Sequence, residues 1–183
     1  MHIQETSLHG AYIIEPDVFG DHRGFFKETW QRDRYEDQRV GADYVQDNIS
    51  RSVRGTLRGL HYQMVQTQGK LVQAFSGRIF DVAVDMRRSS PTFGKWHGEI
   101  LSSENHKQLY VPPGFAHGFC VLSDVAEVFY KCTDFYHPES ERTLLWNDPD
   151  LGIEWPLAEM GVEPILSEKD QHGVPFAQAD VFE

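Results

Sequence analysis

The chain has 183 residues and a formal net charge of −11 at pH 7, enough for one domain, residues 1–183, with a sizeable core. That charge argues against nucleic acid as a partner, because phosphate binding needs a basic field, and no apolar run approaches the roughly 18 residues of a membrane span. Residues 1–20 lack the basic and apolar regions of a secretory signal, and the two isolated cysteines, Cys120 and Cys132, read as buried, reduced thiols of a cytoplasmic protein.

Residues 11–15 form an apolar strand closed by Pro16-Asp17. Residues 21–24 are a turn and 24–30 a strand. Residues 32–39 are strongly charged and predict a short solvated helix that ends at Gly41. Residues 45–50 are rich in amides, which suits either a loop or a site that bonds hydroxyls or a nucleobase. From Thr56 onward strand signals recur at roughly 8 to 12 residues, the spacing of a sandwich or barrel. They fall at residues 57–63, 68–72, 79–85, 96–101, 108–111, 117–122, 126–132 and 144–146. Residues 117–122 and 126–132 read as an antiparallel pair around Ser123-Asp124, and beyond Trp155-Pro156 the chain reads as loop. In residues 79–85, Phe80, Val82 and Val84 share one face and Asp81, Ala83 and Asp85 the other.

Charged groups stand on strands otherwise suited to a core. Arg58, His61 and Lys70 lie among Leu, Val and Tyr, where a charge is costly unless a partner or ligand meets it. Arg58 and His61, three apart, face one side only if the strand bulges, and Gly59 is where a bulge is cheap. A second stretch, Pro112-x-Gly114-x-x-His117, resembles the second half of the cupin-barrel signature. The His-x-His of its first half would fall on His61-Tyr62-Gln63, but the second imidazole is a Gln and no Glu lies between Gln63 and Asp81. A catalytic metal needs about three converging ligands, so the expectation is a cupin-like barrel without metal or other cofactor. There is no G-x-G-x-x-G, P-loop, H-E-x-x-H or G-x-S-x-G.

Taken together, Asp21-x-Arg23-Gly24, Gln46-Asp47-Asn48, Leu57-Arg58-Gly59-Leu60-His61-Tyr62-Gln63, Gln68-Gly69-Lys70-Leu71-Val72, Ser90-Pro91-Thr92-Phe93-Gly94, Gly114-Phe115-Ala116-His117-Gly118-Phe119, Tyr130-Lys131 and Trp146-Asn147-Asp148-Pro149 resemble the dTDP-4-dehydrorhamnose 3,5-epimerase family. The likeness runs from about residue 10 to residue 175. It implies an all-β fold, a cupin-like jelly-roll barrel with a few short peripheral helices, in a homodimer that exchanges N-terminal strands. It also implies a dTDP-4-keto-6-deoxy sugar as substrate, inverted at C3 and C5 in dTDP-L-rhamnose synthesis. Such chemistry needs a base, an enolate stabiliser and an acid on the far face.

By the resemblance His61 is the base, Asp170 its orienting partner, Lys70 the enolate stabiliser and Tyr130 the acid. Arg23, Glu28, Gln46, Asn48, Arg58, His117, Glu141 and Lys169 contact the ligand, with Tyr136 a stacking surface for thymine. From pattern alone, Tyr130 shares a face with Ala126 and Val128 and reads as core, and Asp170 has no visible tie to His61. A carboxylate beside His61 is expected to raise the imidazole pKa. Two other classes stay open: a single-centre epimerase or 3,4-ketoisomerase on a related sugar, and a non-catalytic cupin that only binds a nucleotide sugar.

Overall fold

The computed structural model describes residues 1–37, 40 and 43–183. Its elements are β1 (His2–Glu5), β2 (Tyr12–Glu15), β3 (Val18–Asp21), β4 (Gly24–Lys27), α1 (Arg32–Glu36), β5 (Gln46–Val53), β6 (Leu57–Gln63), β7 (Lys70–Ser76), β8 (Arg78–Asp85), β9 (Trp96–Ser102), β10 (Gln108–Val111), β11 (Phe115–Val121), β12 (Val125–Cys132), β13 (Glu141–Thr143), α2 (Leu157–Met160) and α3 (Glu168–Gln171). Helix α1 opens on Gln31, whose side chain accepts from the Arg34 amide. Its expected extension to Arg39 and its stop at Gly41 lie outside the described residues.

Two antiparallel sheets face each other as a cupin-like jelly roll. One runs β1-β2-β10-β7-β12-β5 and the other β13-β6-β11-β8-β9, while β3 and β4 form a separate ribbon. Between them Ile13, Val72, Leu109, Val111 and Val128 of the first sheet meet Ile79, Ala83, Leu101, Phe115 and Phe119 of the second. In the second sheet, β8 and β11 are buried on both faces over most of their length. The outward Val82 and Val84 of β8 lie under the C-terminal segment with Leu144, Leu151 and Phe182, so the alternation read in residues 79–85 separates two apolar layers rather than core from solvent.

The hairpin expected around Ser123-Asp124 does not form. β11 already pairs with β6 on one side and β8 on the other, so it has no free edge for β12. The chain instead crosses to the opposite sheet, where β12 pairs with β5 and β7. A turn signal between two alternating runs is the same for a hairpin and for a crossing. Strands β1, β3 and β13 and helices α2 and α3 are too short to leave a periodic signal. Cys120 and Cys132 are both buried and free, and no helix among the described residues is long and apolar enough to cross a membrane.

One irregularity shapes the functional end of the barrel. His61 pairs with His117 and Arg58 with Phe119, so β6 spends three steps where β11 spends two. The extra residue is taken up at Gly59, whose φ of +120° belongs to glycine. A Cβ there would lie 2.6 Å from Gly118 Cα and 2.7 Å from the His117 carbonyl oxygen. Gly59→Ala is therefore expected to cost about 2 kcal/mol or more, seen as a melting temperature lower by about 4 °C or more for a chain of this size. A variant that melts within about 1 °C of the parent would show that this backbone contact is slack.

Candidate active site

At the end of the barrel where β6 and β12 finish and β7 and β13 begin lies a pocket of about 290 Å³. The six-stranded sheet supplies one wall through its register. Tyr130 on β12 stands opposite Asn48 on β5, and Cys132 lies between Gln46 on β5 and Lys70 on β7. Lys70, Tyr130, Gln46 and Asn48 line that wall, and His61, Gln63 and Glu141 line the other from β6 and β13. The run at residues 45–50, ambiguous in sequence, is thus strand from Gln46 onward, and its Gln46 and Asn48 amides face a cavity, with Gln46 Nε2 donating to Asn48 Oδ1 at 3.1 Å.

His61 meets Asp170 across 109 residues of sequence, Nε2 to Oδ1 at 2.6 Å. Asp170 is 2% exposed and sits in the single turn of α3. Ser167 caps that helix by accepting from the Asp170 amide, and its hydroxyl donates to Asp170 Oδ2 at 2.7 Å. Burial pushes the Asp170 carboxyl up, but the bonds from His61 and Ser167, with Lys169 nearby, hold it below the usual range. An ionised carboxylate only accepts. Nε2 therefore carries the proton, and Nδ1 is left with the lone pair.

The expected rise of the imidazole pKa does not occur. Burial is the largest influence on His61 and pushes it down; the Asp170 bond pulls it up, and Lys169 and Lys70 add to the lowering. The net direction is downward, because withdrawal from water penalises the imidazolium more than one carboxylate, itself shared with Ser167, can restore. His61 is accordingly a neutral base at pH 7.

Lys70 is almost fully buried, and among the described residues no carboxylate lies within ion-pair distance of its ammonium. Burial lowers its pKa, against the pull of Cys132, Asp81 and Glu141. A cation held this way gains most when negative charge develops beside it. Tyr130 packs against the inter-sheet core while its ring also lines the pocket. Burial raises its pKa, with Arg58 opposing, so the phenol keeps its proton at neutral pH.

The remaining expected residues divide by place. Tyr136, Glu141 and Lys169 form a chain at the mouth: Tyr136 Oη donates to Glu141 Oε2 at 3.1 Å and Lys169 Nζ pairs with Glu141 Oε1 at 2.9 Å. Arg58, brought to the inner side by the slip at Gly59, donates from Nε to Ser52 Oγ at 3.0 Å. It lines an adjoining cleft of about 590 Å³ that also reaches Asp170. His117 is buried beside the pocket, its Nε2 bonded to Asp81 Oδ1 at 2.9 Å. Arg23 and Glu28 are not brought to the pocket of their own chain. Arg23 is 78% exposed and paired with Asp21 on the β3–β4 ribbon, and Glu28 pairs with Arg34.

Sequence reasoning missed Tyr62 and Gln68 in the pocket lining, Ser167 behind Asp170, and Asp81 behind His117. Ser167 was findable, since Ser-x-x-Asp before a short helix is a capping pattern. Asp81 was visible only as a carboxylate on an apolar strand. Among the described residues no three His, Cys, Asp or Glu side chains converge as a metal-ligand set.

A family model described as dTDP-4-dehydrorhamnose 3,5-epimerase matches residues 5–178. The dTDP-4-dehydrorhamnose 3,5-epimerase of Pseudomonas aeruginosa is 58% identical over 184 residues, covering 100% of this chain and 99% of its own. A solved dTDP-6-deoxy-D-glucose-3,5-epimerase from Legionella pneumophila, in complex with dTDP-4-keto-L-rhamnose, is similar with a TM-score of 0.94 at 53% identity, covering 98% of this chain and 94% of its own. A 3'-monoepimerase from Streptomyces bikiniensis in complex with dTDP-quinovose is similar with a TM-score of 0.87 at 36% identity, covering 95% and 87%.

The His61–Asp170 pair sets a pH expectation. Activity that needs neutral His61 falls on the acid side, below the ordinary imidazole value of about 6.5, because the net shift is downward. Asp170→Asn removes the two influences that raise it, so the acid limb of kcat/KM moves further down. The rate at the plateau drops by about 10²-fold or more, as when an orienting carboxylate is lost. An acid limb that stays in place in Asp170→Asn would separate Asp170 from the titrating group.

Proposed function

The chain belongs to the dTDP-4-dehydrorhamnose 3,5-epimerase family, and we propose that it inverts C3 and C5 of dTDP-4-keto-6-deoxy-D-glucose to give dTDP-4-dehydro-L-rhamnose. One observation carries the mechanism: His61 stands on one sheet, Lys70 and Tyr130 on the facing sheet, and all three line one pocket. Each carbon flanking the C4 ketone bears an acidic hydrogen. The Nδ1 lone pair of His61 takes that proton, the C–H electrons become the enolate double bond, and the C4 oxygen takes the negative charge beside the Lys70 ammonium. Tyr130 then gives its phenolic proton to the opposite face, the ketone re-forms, and the imidazolium and phenolate return to their starting states through solvent. The Lys70 contribution is comparable to an oxyanion-hole donor, about 2.7–4 kcal/mol of barrier.

Gln46, Asn48, Tyr136, Glu141 and Lys169 hold the sugar and nucleotide at the mouth, Arg58 clamps the diphosphate, and His117 is a further ligand contact. Arg23 and Glu28 serve the site of a partner copy in a homodimer, with residues 1–183 as one unit whose N-terminal strands are exchanged. Two features support this. The ribbon that carries Arg23 has no role at its own pocket, and it exposes Phe19, Phe25 and Phe26 together. The setting is cytoplasmic, and the reaction uses no metal or other cofactor.

Incubation with the keto sugar in D₂O, followed by NMR, tests the reaction. Deuterium at both C3 and C5 is expected; label at one carbon means a single-centre epimerase, and none means a binder. Tyr130→Phe keeps the ring and its packing but deletes the transferable proton, so inversion falls by about 10²–10⁴-fold. Exchange with retention continues, as His61 returns a solvent-derived proton to the face it came from. His61→Ala loses both. Wild-type inversion by Tyr130→Phe would place the acid elsewhere. Exhaustive chelation is expected to leave the rate unchanged, and a loss restored by added zinc, iron or manganese would refute the cofactor-free reading.

A further inference from the structure

Gln63 stands where a metal-binding cupin carries its second imidazole, and its amide is given over to backbone. The side chain is buried. Nε2 donates to the carbonyls of Gln66 at 2.8 Å and Phe135 at 3.2 Å, and Oε1 accepts from the His137 amide at 3.0 Å. Two donations and an acceptance from one planar end group suit an amide alone: a neutral imidazole has one donor and one acceptor, and a carboxylate has no donor. Neighbouring groups repeat the theme. Gln68 Nε2 donates to the Asp134 carbonyl at 2.9 Å, Ser140 Oγ to the Val65 carbonyl at 3.0 Å, and the Gly69 amide to Thr133 Oγ1 at 2.8 Å. Residues 133–137 belong to no helix or strand, and these bonds do the holding that a sheet ladder would do.

At the centre of this stitched stretch is Tyr136. Its amide donates to Gln46 Oε1 at 2.9 Å, its hydroxyl reaches Glu141, and its ring forms part of the pocket wall. The residues that flank it, Phe135 and His137, are both gripped by Gln63, whose third bond goes to Gln66. We propose that Gln63 is a positioning residue for substrate binding, acting through Phe135 and His137 to hold Tyr136 as a wall of the pocket. Gln63 lies two residues from His61 on β6, so one strand sets both the base and, through this amide, the wall. The inference rests on the epimerase reading above, in which Tyr136 packs against the nucleotide.

Gln63→Leu keeps the volume and deletes the three bonds. KM for the dTDP-4-keto sugar is expected to rise about tenfold, the effect of losing roughly one hydrogen bond's worth of ordering. The turnover of deuterium exchange at saturation changes less than about threefold, because His61, Lys70 and Tyr130 stay in place. Tyr136→Ala raises KM comparably, and adding Gln63→Leu to it raises KM little further, since both act on one wall. A folded Gln63→Leu with parental KM, or full additivity in the double variant, overturns the proposal. Gln63→Glu keeps the acceptor for His137 and loses both donations. Should Gln63→Leu not fold, this variant must show the same split, and an unchanged KM overturns the proposal equally. If the parent protein exchanges no deuterium, the reaction assignment falls instead. Calorimetric affinity for dTDP then reads Gln63, with weakening expected in Gln63→Leu and unchanged affinity counting against it.

Discussion

The single extra residue in β6 is the constraint on which the pocket depends. At Gly59 and Gly118 the backbones of β6 and β11 meet without side chains, and a Cβ on Gly118 would lie 2.6 Å from the Arg58 carbonyl oxygen. Two glycines at one crossing allow one strand to slip past the other. The slip turns Arg58 to the same side as His61 and still lets His61 pair with His117. Without it the strand would alternate regularly, and residues three apart would point to opposite faces. Arg58 would then face the layer that Leu60 and Tyr62 form with Val82 and Leu144, where a guanidinium has no partner.

Burial is the second organising influence, and it acts on three groups in the same sense. Desolvation pushes His61 and Lys70 down and Tyr130 up, each toward its uncharged form. For an imidazole that is the basic form, and for a phenol the acidic form. For the lysine it means a cation held under a desolvation penalty that a developing enolate would relieve. The chain as a whole carries −11, so positive charge near the pocket is a local arrangement. Lys70, Arg58 and Lys169 provide it, and Glu141 takes up only Lys169. Asp170 is kept ionised by two short hydrogen bonds, which holds the imidazole in one tautomer although the net shift of His61 is downward.

Much of the barrel was legible because strands with a fixed period and glycine-marked turns advertise themselves. Gly59 was readable as a bulge, since Arg58 and His61 could share a face in no other way. Other features left no local mark. The pairing of β12 with β5 and β7 depends on β11 having both edges occupied, which no window around Ser123-Asp124 contains. The Asp170 tie to His61 spans 109 residues, and only family likeness pointed to it. The alternation around Tyr130 marks it as core and the family likeness marks it as the acid. Both have a structural basis, because a ring at the end of a sandwich packs inward with one edge and borders the cavity with the other. In sequence Gln63 shows only that a metal ligand is missing, because the carbonyls of Gln66 and Phe135 and the amide of His137 that it bonds belong to no side-chain pattern.

The sandwich also bears on why this barrel suits inversion. Side chains on one face of one sheet all approach a bound ring from the same side. A base and an acid taken from neighbouring strands would therefore return the proton to the face it left, and the net result would be exchange with retention. Groups on opposing sheets approach from opposite sides by construction. His61 stands on β6 of one sheet and Tyr130 on β12 of the other, so on the roles proposed above each face of the sugar is addressed by its own sheet. Lys70 shares a sheet with Tyr130, two pairs along the β7–β12 register, where it can neutralise the enolate oxygen without competing for either carbon face. Gln63 bears on this division too. By tying residues 135 and 137 to β6, while Gln46 on β5 accepts from the Tyr136 amide, it fixes Tyr136 between the sheet of the base and the sheet of the acid.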